Sequence, residues 1–406
     1  MVNNKELLER FLRYVKIDTQ SKEDETVQPS TAKQKDLARI LFAELKDLSA
    51  DPFFDEEYGY VYASLPGSEP ALGFVAHMDT APAASGTGVN PRIVENYDGG
   101  KIILNNHSEA GTSPVILDPD YFPELHSHIG EDLIVTDGTT LLGADDKAGV
   151  AEIMNLFEFY ANHPEIPHRR LCLAFTPDEE VGRGTEHFDT DRFGAKEAYT
   201  VDGGKMGEIE YECFNAASAV IKISGTSVHP GDAKNKMVNA AALAVECHSM
   251  LPQAETPEHT EGYEGFYMLG EINGSCEEAY LKYIIRDHDR EKFEKRKAFM
   301  QTITDYMNRK YGEYFTLTLN DQYYNMADLM KDHLHLIENA KKALKELGVN
   351  ASVIPIRGGT DGAKLTYMGV PCPNLCTGGY NFHGRYEYAS VQEMEICAEM
   401  LIKLAQ

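Results

Sequence analysis

Apolar positions recur along this chain with two periods, and the change from one to the other sketches its elements. Leu7, Leu8, Phe11 and Leu12 fall on one stripe and predict a helix over about 4–15. A second helix is predicted from Ser30, where Thr31 and Gln34 have capping-box spacing and Leu37, Ile40, Leu41 and Leu45 turn inward. Short apolar runs at 72–76, 170–175 and 198–201 then alternate with a helical pattern over 147–160. Alternation of this kind predicts an α/β layer on a largely parallel sheet. Gly, Pro, Asn and Asp crowd the segment 83–131, which reads as a long excursion with short strands such as 101–104.

From about residue 216 the rhythm changes. Strand patterns at 218–223, 264–272, 279–286 and 314–319 enclose helical patterns at 235–250 and 290–308. The order β-α-β-β-α-β is that of a split-βαβ sandwich. After Asn325 a helix over 327–347, a strand near Ser352 and a C-terminal helix from Ser390 resume the first pattern, with Glu393 at capping-box distance from Ser390. The predicted architecture is therefore α/β. A catalytic domain with a mostly parallel central sheet (1–213 and 326–406) is interrupted by a smaller inserted α+β lid domain (214–325).

Composition narrows the partners. Among 406 residues, 38 Lys and Arg face 65 Asp and Glu, a formal charge of −27. A surface so acidic repels phosphate backbones and anionic lipid, so neither nucleic acid nor a membrane is an expected partner. Hydrophobic residues at 42% suffice for a large core. No apolar run approaches the ~18 residues of a membrane helix, and Met1-Val2-Asn3-Asn4-Lys5-Glu6 does not open a secretory signal. Seven scattered cysteines, an odd count, suggest reduced thiols and a cytoplasmic location.

Chemistry is written where polar residues follow predicted strands. After 72–76 come His77-Met78-Asp79; in extended backbone residues two apart share a face, and a carboxylate beside an imidazole is a common way of orienting a metal ligand. Asp145-Asp146 lie at a strand-to-helix corner, where they either cap the helix or share a carboxylate between two cations. Glu179-Glu180 follow the apolar run ending at Phe175; one is able to bind metal while the other handles a proton. Asp202 ends another strand ahead of Gly203-Gly204, and His383 follows the turn Thr377-Gly378-Gly379. Ligands at the carboxyl ends of several strands converge on one crevice of an open α/β sheet. Two imidazoles with several carboxylates suit a pair of borderline divalent cations, zinc first and manganese or cobalt next.

Taken together these motifs resemble the dinuclear-zinc peptidases, the family that includes glutamate carboxypeptidases and acetylornithine deacetylase, and within it the tripeptide aminopeptidases. Besides the segments above, Ser224-Gly225-Thr226-Ser227-Val228-His229-Pro230-Gly231 and Ile356-Arg357-Gly358-Gly359-Thr360-Asp361-Gly362 carry the likeness. The resemblance implies that His77, Asp145 and Asp202 hold one Zn2+, that Asp145 bridges, and that Glu180 and His383 hold the second. Asp145 is preferred to Asp146 because the family pattern sets a variable residue between the ligand and the lysine. It implies Asp79 as the orienter of His77 and Glu179 as the general base. It further implies a small peptide substrate with a free N-terminus; against the acidic background His229 is a candidate oxyanion donor and Arg286 or Arg357 the partner of the terminal carboxylate, with Asn273 and Lys364 held more loosely as extra contacts. The family contains both monomers and dimers, so the resemblance leaves a homodimer open, and substrate held between the two domains predicts open and closed forms. The rival reading is a related dipeptidase or N-acyl-amino-acid deacylase.

Other features read as structural. Cys372-Pro373-Asn374-Leu375-Cys376 lacks a second cysteine pair nearby. His126-Ser127-His128 lies in the excursion, and His333 and His335 face different ways on a predicted helix. Neither a Gly-x-Ser-x-Gly elbow nor a Walker loop is present.

Overall fold

The structure is a computed structural model that describes residues 3–105 and 114–406. Residues 106–113 of the excursion and the first two residues of the N-terminal segment lie outside the described residues. The chain forms two units: Met1–Tyr211 with Leu329–Ile354 and Thr360–Gln406, and Glu212–Asp328 with Pro355–Gly359.

The first unit is built on an eight-stranded sheet. Its spatial order is Phe53–Phe54, Val61–Leu65, Arg169–Thr176, Ser68–His77, Ala198–Gly203, Asn374–Cys376, Glu208–Cys213, Ser352–Ile356. The sheet is mixed. Its centre is parallel, with Ser68–His77 between Arg169–Thr176 and Ala198–Gly203, whereas Val61–Leu65 and Glu208–Cys213 run antiparallel to their neighbours. Leu171 to Thr176 are all buried, as a strand covered on both faces requires.

Helix Ala144–Asn162 is buried on nearly every side because it lies on this sheet with the N-terminal helix Asn4–Tyr14 and the C-terminal helix Val391–Leu404 against it. Gly149 permits that approach: a Cβ there would stand 1.8 Å from the carbonyl oxygen of Val201. The helix thus brings its first turn to the strand that ends in Asp202. A smaller antiparallel sheet, Gly379–Tyr380, Tyr388–Ser390, Leu133–Val135 and Arg92–Val94, encloses the His383 loop between its first two strands.

Several expected boundaries move, among them the start of the helix expected over 235–250, which begins at Ala240. The second helix begins at Gln34 and not at Ser30, and the Thr31–Gln34 capping box does not form. Ser30 and Gln34 instead donate to the buried carboxylate of Asp178, and Thr31 Oγ1 donates to the carbonyl of Gln20. A buried charge outbids a helix cap. The expected helix over 327–347 is interrupted: Ala327–Met330, a tight turn at Lys331–His333, then Leu334–Glu346.

The second unit is a four-stranded antiparallel sheet in the order Phe266–Gly274, Glu278–Asp287, Asn215–Ser224, Phe315–Tyr323. Numbered along the chain, these strands stand 2-3-1-4, the arrangement the β-α-β-β-α-β order calls for. Ala217, Ala219, Ile221 and Ile223 alternate inward and meet Leu281, Tyr283 and Ile285 under the helices Ala240–Ser249 and Arg290–Tyr311. Asn239 and Asp289 cap those helices by accepting from the amides of Ala242 and Lys292.

Candidate metal centre

Three parallel strands deliver the site. His77 pairs in register with Thr176, and Val75 with Thr200, so His77, the Glu179-Glu180 turn and Asp202 emerge at one level. His77 is buried at the end of its strand. Its Nε2 lies 2.8 Å from Asp145 Oδ1 and 3.5 Å from Asp202 Oδ1. The second oxygen of Asp145, Oδ2, is 2.9 Å from Nε2 of His383, and His383 Nε2 is 3.0 Å from Glu180 Oε2. Asp145 thereby presents one oxygen to each of two imidazoles. Its neighbour Asp146 is turned into the protein: its oxygens accept the amides of His77 and Gly149, both at 3.2 Å.

Asp79 does more than flank His77. The imidazole Nδ1 is 3.0 Å from the main-chain carbonyl of Asp79 and 3.4 Å from its carboxylate. That carboxylate chiefly accepts the amides of Glu179 and Glu180, at 3.0 and 3.2 Å, and so fixes the glutamate turn. Asp178, in the left-handed region at φ 57°, is held from the other side by Ser30 and Gln34.

The electrostatics are those of crowded carboxylates. Burial and the neighbouring charge of Asp361 hold Glu179 well above the usual carboxylate range. Burial, then Asp145, lifts Glu180 to about 7, and burial lifts Asp202 to about 6. Asp145 moves the other way: burial is outweighed by the hydrogen bonds from His383 and His77. His383, bonded to Asp145 and Glu180, is raised to about 11. His77 is raised too, the charge of Asp202 and the bonds to Asp145 and Asp79 outweighing burial.

Two further residues belong to the site. Asp361 accepts a hydrogen bond of 2.7 Å from Thr176 Oγ1 at the strand end. Glu387 is buried and accepts the amides of Leu142, Gly143 and Asp145. Asp361 sits in a motif already singled out in the sequence; Glu387 carries no sequence signal, since its partners are main-chain groups far along the chain.

His229, Asn273, Arg286 and Arg357 all belong to the second unit. Arg357 donates to the carbonyls of Gly262, Glu264 and Thr260 and to the Thr260 hydroxyl. Arg286 donates to the carbonyls of Ala217 and Ile285 and lies over the ring of Tyr323, and burial lowers its pKa. Lys364 donates to the carbonyl of Gly182, beside the glutamate turn. Of the residues set aside from sequence, Cys372 and Cys376 are free and buried, and His335 pairs with Glu197 at 2.8 Å.

The donors suit divalent cations. His77, Asp145 and Glu180 bring ligand atoms within 4.8 Å of one another, and Glu180 Oε1 is buried without a hydrogen-bond partner among the described residues. Mixed imidazole and carboxylate donors match zinc, manganese or cobalt better than calcium.

Comparison with known proteins identifies relatives of the chain. Residues 211–314 match the peptidase dimerisation domain family. A peptidase T of Halothermothrix orenii is 53% identical over 405 residues, 98% of each chain. Among solved structures, aminopeptidase PepT of Bacillus cereus superposes with a TM-score of 0.77 at 24% identity, covering 100% of this chain and 98% of that one. A dinuclear metal-binding peptidase of the M20 family from Bacillus subtilis superposes at 0.67 and 14% identity, covering 99% and 97%. The last two likenesses concern the fold; the first, at its identity and span, decides kinship, and the chain belongs to the peptidase T family.

Proposed function

We propose that this protein is a metallo-aminopeptidase that releases the N-terminal residue from tripeptides. The observation that carries the reading is the placement of Asp145, with its two oxygens 2.8 and 2.9 Å from the imidazoles of His77 and His383. In this reading His77, Asp145 and Asp202 hold one cation and Asp145, Glu180 and His383 the other, with zinc the first candidate and manganese or cobalt the alternatives. Cations at such a centre supply Lewis acidity that brings the pKa of water from 15.7 to about 7 and polarises the peptide carbonyl.

The residues of the chain do the rest. Glu179 accepts the proton of the attacking water and returns it to the leaving amine. Asp79 keeps that carboxylate in place through the Glu179 amide. From the second unit we assign His229 to the oxyanion, Asn273 to the peptide backbone, and Arg286 to the terminal carboxylate. Arg357 is the weaker candidate for that carboxylate because its guanidinium already serves four oxygens. The match to a dimerisation domain supports a homodimer. The seven unpaired thiols support a cytoplasmic location, and among the described residues no helix is long and apolar enough to cross a membrane.

The test is a panel of free-amine tripeptides, dipeptides and N-blocked peptides, run with and without a chelator. Release of the N-terminal residue from tripeptides, lost on chelation and restored by zinc, is expected. Equal turnover of N-blocked substrates, or activity that chelation leaves intact, overturns the reading.

A further inference from the structure

The loop that carries His383 also carries Glu387, and the two grip Asp145 from opposite ends. His383 meets the Asp145 side chain, while Glu387 Oε1 accepts the Asp145 amide at 3.1 Å and Oε2 accepts those of Leu142 and Gly143 at 2.7 and 2.9 Å. Gly143, at φ 84°, turns these amides toward one point and forms a nest of the kind that usually cradles an external anion. Here a carboxylate of the same chain, 1% exposed, fills it. Both oxygens are thereby satisfied by main-chain donors, as a buried carboxyl group requires. The loop itself is held in an uncommon conformation. Asn381 and His383 lie at φ 56° and 64°, and the loop is strapped by Asn381 Nδ2 donating to the Tyr386 carbonyl and the Glu387 amide donating to Gly384.

We propose that Glu387 is a positioning residue of the metal centre: it fixes the main chain of Asp145 so that the side chain presents one oxygen to each half of the site. The inference rests on the two-cation reading above. Without the Glu387 carboxylate the Asp145 backbone loses its anchor while every proposed ligand remains. Glu387→Gln is the sharper variant, because its amide turns a donor toward peptide N–H groups; Glu387→Asp keeps the charge on a shorter arm.

The experiment titrates metal-free protein with Co2+, reading visible absorption and heat, and measures kcat and KM in parallel. Glu131→Gln serves as a control, since Glu131 is a carboxylate bonded to His128 and Ser390 and stands outside the proposed site. The wild type is expected to take up two equivalents. Glu387→Gln is expected to bind Co2+ about 10–100-fold more weakly and to lose kcat by a similar factor, with KM little changed, and Glu387→Asp to fall between. Glu131→Gln is expected to lower the melting temperature and leave Co2+ uptake intact.

The proposal is overturned if Glu387→Gln binds Co2+ like the wild type. It is equally overturned if Glu131→Gln weakens binding as much, or if neither Glu387 variant folds while Glu131→Gln does, which would make Glu387 an element of folding alone. A wild type that takes up no metal pair removes the two-cation reading itself, and the inference with it.

Discussion

Among its described residues the first unit contains two clusters in which a buried histidine faces several carboxylates, and they differ in what already holds the oxygens. Around His77 the oxygens of Asp145 and Glu180 meet imidazole nitrogens, and Glu180 Oε1 has no partner among the described residues. Around His128 the ligand atoms of Glu131 and Glu393 also fall within 4.8 Å of one another, yet protein donors already hold one oxygen of each. His128 Nδ1 is 2.8 Å from Glu131 Oε2, which also accepts from Ser390 Oγ at 2.6 Å, and Glu393 accepts from the Tyr380 hydroxyl at 2.7 Å. The His128 ring packs edge-on against Tyr380 and Tyr388. Proximity of donors and an unpaired ligand atom are common to both, since His128 Nε2 is also buried without a partner among the described residues; what separates them is that the hydroxyls of Ser390 and Tyr380 donate to the carboxylates around His128, whereas Asp145 and Glu180 lean on imidazoles.

The widest separation is expected from removing each histidine. His77→Ala should release at least one metal equivalent and bring tripeptide turnover to background. His128→Ala should keep both equivalents and wild-type kinetics while losing about 1–3 kcal/mol of stability, the usual cost of stranding a buried acceptor. Elemental analysis and denaturant titration of both variants decide the matter, and metal loss from His128→Ala would erase the contrast. Next in size is Glu179→Gln. A general base typically contributes about 10²–10⁴-fold, so kcat should drop by that factor with metal content unchanged. Near-normal turnover would remove Glu179 from its role.

The sequence exposed the His77 cluster for a physical reason. His77 and Asp202 stand at strand ends and Glu179-Glu180 in the tight turn beyond one, so a short continuous apolar run points at each; Asp145, in the first turn of helix Ala144–Asn162, was marked by its strand-to-helix corner. The β-α-β-β-α-β order of the second unit was legible through the alternation of its strands. Glu387 was not. It stands in Arg385-Tyr386-Glu387-Tyr388 like any charged residue between aromatics, and its amide partners lie up to 245 positions away. The Thr31–Gln34 capping box failed for a related cause: Asp178, distant in sequence, competes for Ser30 and Gln34. Local patterns report what a residue prefers with its neighbours, and buried charges choose partners across the chain.

A lone buried carboxylate adds a third case to the contrast. Both oxygens of Glu152, in the middle of helix Ala144–Asn162, are buried without a hydrogen-bond partner among the described residues. Burial, with a smaller push from Cys376, holds its pKa well above the usual range, so the folded protein keeps the proton that the unfolded chain releases. The sign follows. The stability this group contributes is fully present below its unfolded pKa near 4.5 and is lost as the pH rises toward the folded value, at about 1.4 kcal/mol per pH unit. Glu152→Met, of similar length and without the proton, should leave turnover and metal content untouched. It should be more stable than the wild type at pH 8 by more than at pH 5.5, measured by denaturant titration at fixed zinc. A difference that does not widen between those two conditions would mean that Glu152 has a partner in solution, and that the lone carboxylate is not a third case.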